Sequence, residues 1–92
     1  MEHYVPSQEI YANLFYYIVM NSTNNNQFSE RLKELRLEMN LTRQDLADML
    51  NVSVRLISYW ENGQRECDFD MLINIAEFFS VSVDYLLGRK EY

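Results

Sequence analysis

The sequence predicts an all-α fold, and three observations carry that expectation. From Phe28 onward, apolar residues recur at helical spacing rather than in strict alternation. Residues that cap helix starts (Thr42, Ser53, Asp68, Ser82) precede each later run. The chain of 92 residues holds only 2 glycines and 1 proline, too few turn residues for an all-β protein. Its hydrophobic content of 48% with 24% charged residues fits one small globular domain and excludes general disorder.

The first element is an apolar segment, Ser7–Met20. Ser7 can cap a helix with Ile10, Leu14, Tyr17 and Ile18 on one side. Helix is the favoured reading, although the aromatic and β-branched run Leu14–Met20 is also compatible with a strand. The polar stretch Asn21–Asn26 reads as a linker. Residues 1–27 are therefore taken as an N-terminal extension, 28–88 as the domain and 89–92 as a tail.

Phe28, Leu32, Leu35 and Met39 form one apolar stripe on the first domain helix, which Asn40 ends. Thr42, with Asp45 three residues on, starts the second helix, Arg43–Leu50. Asn51-Val52-Ser53 leaves room only for a tight turn, in which Asn51 is the residue suited to positive φ. Ser53 caps a third helix, Val54–Asn62, stopped by Gly63. Asp68 caps a fourth, with Leu72, Ile75, Ala76 and Phe79 inward. Ser82 caps a short fifth, Val83–Leu87, closed by Gly88. At the second and third helices, Leu46, Ala47, Leu50, Val52, Ile57 and Trp60 are expected to face inward. Ala47 is small enough to let the two helices approach.

Charge alone does not identify a partner. The net charge is −6, unlike most nucleic-acid-binding domains. The excess lies at the ends: residues 28–65 carry six bases and six acids, while residues 1–27 carry no Lys or Arg and 66–92 are net acidic. The single cysteine, Cys67, excludes an internal disulfide, and with His3 as the one histidine no cysteine–histidine metal site can be assembled. No positive run marks a secretory signal, and Ile10–Met20 is shorter than the ~20 residues a membrane span needs. The expectation is a cytoplasmic protein with no membrane contact, no metal and no cofactor. No nucleophile–base pair or phosphate loop is visible, so it is not expected to be an enzyme.

Two short helices joined by three residues match the spacing of a helix-turn-helix. The stretches Arg31-Leu32-Lys33-Glu34-Leu35-Arg36, Leu41-Thr42-Arg43-Gln44-Asp45-Leu46-Ala47, Ile57-Ser58-Tyr59-Trp60-Glu61-Asn62-Gly63 and Val81-Ser82-Val83-Asp84-Tyr85-Leu86-Leu87-Gly88 make the sequence more specific. From Phe28 to Gly88 it resembles the repressors of the lambdoid phage repressor and Cro type, the XRE family. The resemblance implies a five-helix, lambda-repressor-like DNA-binding domain whose third helix enters the major groove of double-stranded DNA.

Carried over position by position, the resemblance makes Val54, Arg55 and Tyr59, with Ser58 beside them, the base-contacting residues. Arg55 suits guanine, and Val54 suits a thymine methyl. Phosphate contacts fall to Arg43, Gln44, Ser53, Asn62, Gly63 and Arg65. Arg36 and Glu61 correspond to an internal ion pair between the first and third helices. Arg43 replaces the usual glutamine, Asn40 and Asn51 replace glycines, Cys67 replaces a frequent proline, and Leu56 stands where small polar residues are common. Arg31 and Lys33 read as solvating helix faces. His3 and Cys67 read as bystanders, Trp60 as core, and Tyr16 and Tyr17 as packing residues.

The implied function is a transcriptional regulator, a repressor acting as a homodimer on a pseudo-palindromic operator, with Ser7–Met20 packing on the core helices and contributing to the dimer interface. An antitoxin or protein-interaction adaptor built on the same domain is the second reading, with the acidic ends as its partner surface.

Overall fold

The computed structural model describes residues 26–92, and the expected helix at Ser7–Met20 lies outside them. The described residues form five helices: α1 (Phe28–Glu38), α2 (Arg43–Leu50), α3 (Val54–Glu61), α4 (Phe69–Phe79) and α5 (Val83–Leu86). No strand occurs among them.

Four of the five helices begin, and all five end, by a repeated device. Thr42, Ser53, Asp68 and Ser82 each have extended backbone, and each side chain accepts a hydrogen bond from the backbone N–H three residues on. At Thr42 the bond is reciprocated, since the Thr42 N–H donates to Asp45 Oδ2 at 2.9 Å. These contacts satisfy donors that the first turn of a helix cannot. Each helix is followed by a residue of positive φ: Asn40, Asn51, Gly63, Ser80 and Gly88. The next N–H then folds back five residues, as in Leu41 N to Arg36 O (3.1 Å) and Val52 N to Ala47 O (2.9 Å). Asn51, with φ of 58°, turns the chain between α2 and α3.

Leu32, Leu46, Ile57, Ile75 and Leu86, one from each helix, are fully buried and form the centre of the core. Ala47, on the α2 helix that packs against α3, is also fully buried. Trp60 is 2% exposed, with Phe28 edge-on at a ring-centroid distance of 6.5 Å. Its Nε1 finds no acceptor among the described residues. Leu50, Val52 and Leu56 are half-buried against this core.

Four expectations need correction. Met39, expected on the buried stripe, is about half exposed because α1 ends at Glu38 and Met39 is its cap. Arg31, expected to solvate a helix face, is buried. Its guanidinium lies 4.1 Å above the Tyr85 ring, and its Nε donates to Gln27 Oε1 at 3.1 Å. Lys33 is exposed. Asn62 and Leu87, expected as last helical residues, are caps.

Candidate nucleic-acid interface

The tight turn at Asn51 and the cap at Ser53 fix where α3 starts, and the core fixes which side of it is hidden. Ile57, Trp60 and Glu61 are buried, as three- and four-residue spacing along one side of a helix requires. Val54 and Arg55 are exposed, while Ser58 and Tyr59 are half-buried. Arg55 makes no ion pair with any described residue. The exposed side of α3 thus offers a free guanidinium with two donor edges, next to a branched apolar side chain.

The C-terminal end of α3 is anchored by an ion cluster. Arg36 donates from Nε to Glu61 Oε2 (2.7 Å), from Nη2 to Oε1 (3.0 Å) and from Nη1 to the Leu41 carbonyl (2.8 Å). The hydrogen bond to Glu61 holds the Arg36 pKa above its ordinary value, against the opposing effect of burial. One arginine therefore joins α1, the loop before α2, and α3. Arg43 adds a third member, with Nε donating to Glu61 Oε1 at 3.0 Å. Sequence reasoning assigned Arg43 to phosphate alone and missed this contact, which spans eighteen residues. Its side chain remains 37% exposed, so the cluster of two arginines and one carboxylate leaves a positive charge near the start of α2.

The other expected contact residues are distributed around α3. Gln44 is exposed, and its Nε2 donates to Asp48 along the same helix at 2.9 Å. Ser53 is exposed, but its hydroxyl oxygen already accepts the Leu56 N–H at 3.1 Å. Asn62, Gly63 and Arg65 are exposed beyond the end of α3. Arg65 folds back so that its guanidinium lies 4.9 Å from the Tyr59 ring centroid, pairing a cation with an aromatic beside the exposed side of α3. Leu56, half-buried, packs on the core. Cys67 is half-buried, and burial pushes its thiol pKa up to about 11. No group of three or more potential metal ligands occurs among the described residues. None of the described helices is long and apolar enough to cross a membrane.

Comparison with known proteins agrees with the fold. The HTH_3 helix-turn-helix family matches residues 32–86. The HTH-type transcriptional activator BcrR of Enterococcus faecalis is 43% identical over 65 residues, covering 71% of this chain and 32% of the relative. The HTH-type transcriptional regulator YqaE of Bacillus subtilis (strain 168) is 45% identical over 60 residues, covering 65% of this chain and 52% of the relative. The match thus spans about a third to a half of the length of these curated relatives. Among solved structures, the P22 c2 repressor protein in complex with synthetic operator 9T is similar with a TM-score of 0.64 and 28% identity, covering 68% of this chain and 96% of that one. With the family match running over more than half of its residues, the chain belongs to the helix-turn-helix family of the XRE type.

Proposed function

We propose that the chain is a transcriptional regulator that binds double-stranded DNA. In this reading α3 lies in the major groove, and Val54, Arg55, Ser58 and Tyr59 meet base edges. The observation that carries it is the division of α3. Its inner side is locked into the core by Ile57, Trp60 and Glu61, while Arg55 stands exposed and unpaired among the described residues. A guanidinium in that position can bond guanine O6 and N7 together, worth about 1–3 kcal/mol against a wrong base. The likeness to a repressor solved with its synthetic operator, and to relatives named as transcriptional regulators, supports the reading.

Arg43, Arg65, the side chains of Gln44, Ser53 and Asn62, and the backbone at Gly63 hold the phosphates in this proposal. Few of these groups are cations, so one domain supplies little electrostatic binding. A homodimer doubles that supply and sets two copies of α3 about 34 Å apart on a pseudo-palindromic operator. The regulator then represses by occupying the site.

Selection of bound sites from random duplexes tests the reading. The expected product is a two-fold-symmetric motif, and Arg55→Ala loses preference at one guanine in each half-site. A motif unchanged by Arg55→Ala removes Arg55 from the readers. Failure to enrich any duplex overturns the DNA reading and favours a protein partner.

A further inference from the structure

One side of α4 is left uncovered. Phe69 is 83% exposed and Ile73, one turn further along the same side, is 47% exposed. Phe69 also borders a shallow cavity of about 140 Å³, whose other walls are Asn26, Phe28, Glu66, Cys67, Leu72 and Leu87. Neighbouring exposed apolar side chains of this kind mark a surface that another element covers.

The way the chain reaches the domain indicates which element. Asn26 is fixed in place, its Oδ1 accepting the Phe28 N–H at 2.9 Å, and it forms part of the cavity wall. The preceding chain therefore leaves the domain at the rim of this cavity. Upstream, Ile10–Met20 carries no charged side chain and includes Leu14, Phe15 and Ile18. The polar residues Asn21–Asn25 separate it from Asn26, and fully extended they span at most roughly 18 Å. So short a tether gives an apolar segment a high effective concentration at its own domain.

We propose that Ile10–Met20 docks within its own chain on the surface formed by Phe69, Ile73 and the cavity behind Phe69. That occupant would shield this face of α4 and the cavity that Cys67 lines. This proposal is independent of DNA binding, so its failure leaves the operator reading intact.

Cys67, the one thiol of the chain, reports directly on the cavity. In the full-length protein, its maleimide labelling at fixed pH is expected to be several-fold faster in Leu14→Asp/Ile18→Asp than in the wild type. Circular dichroism checks that helix content is retained. A second thiol introduced by Ile18→Cys is expected to cross-link to Cys67 with a short bismaleimide, giving an internally looped monomer. Phe69→Asp, at an exposed position, should reduce that cross-link without unfolding the domain. An unchanged labelling rate overturns the proposal, as does a cross-link insensitive to Phe69→Asp. A cross-linked dimer also overturns it, because the occupant is then a second copy.

Discussion

Arg43 and Glu61 meet at 3.0 Å, Nε to Oε1, so the carboxylate at the end of α3 holds an arginine from α2 as well as Arg36 from α1. The Glu61 side chain is fully buried, and the Arg36 side chain is 8% exposed. Removing the carboxylate leaves a buried guanidinium without its counter-charge. Glu61→Gln is expected to lower stability by about 3–5 kcal/mol in urea unfolding, whereas Arg36→Met/Glu61→Leu recovers most of that loss. A loss below about 1 kcal/mol in the single variant would show that the cluster does not hold the helices together.

The same contact leaves the terminal nitrogens of Arg43 without a hydrogen bond to any described residue. If they hold a phosphate, Arg43→Ala reduces the magnitude of the slope of log affinity against log salt by about 0.9 for each domain bound. The selected sequence motif stays the same. An unchanged slope assigns Arg43 to the ion cluster alone.

Arg31 over Tyr85 joins α1 to α5. A planar guanidinium on a ring in a buried setting contributes on the order of 1–2 kcal/mol. Arg31→Lys keeps the charge but loses the flat stacking surface. It is expected to destabilise by about 1 kcal/mol, with a coupling of similar size in a double-mutant cycle with Tyr85→Leu. Additive losses would mean that the contact carries no energy.

Ser80 has φ of 57° at the end of α4, a conformation in which a side chain is strained. Ser80→Gly relieves that strain and is expected to raise stability by about 1 kcal/mol, less the entropy a glycine loses on folding. Thermal unfolding of the two proteins gives the comparison, and a lower midpoint for the glycine variant would contradict it.

Asp45 accepts from the backbone N–H of Thr42 and pairs with its hydroxyl, which holds the carboxyl pKa below its ordinary value of 3.8. Its folded pKa is therefore below the unfolded one. The stabilisation is complete above about pH 4 and is lost as pH falls through the lower, folded value. Asp45→Asn should flatten the acid side of the stability curve followed by urea midpoints. An identical acid limb would remove Asp45 from it.

Features set by local chemistry were legible in the sequence. Thr42 with Asp45, Ser53, Asp68 and Ser82 announce helix starts because their side chains reach N–H groups only three residues away. Asn40, Asn51, Gly63 and Gly88 announce ends because few residue types adopt positive φ cheaply. The exposed position of Val54 and Arg55 follows from the same helical period that buries Ile57 and Trp60. Ser80 gave no such sign, since serine is not a residue that usually takes this conformation. Met39 continued the apolar spacing of α1 but fell one residue beyond its end. Arg31 and Arg43 were misread or half-read for another reason. Their partners, Tyr85 and Glu61, come from distant parts of the chain, and charge type alone does not reveal which arginine is enclosed.

Trp60 is the one tryptophan of the chain, enclosed in the core with an indole nitrogen that has no described acceptor. Its fluorescence should therefore emit at short wavelength in the native protein and shift to the red as the surrounding helices separate. Because it sits on α3 beside Glu61 and against Phe28 of α1, that emission follows the joining of these two helices. The domain thus contains its own optical reporter of folding, with no added dye.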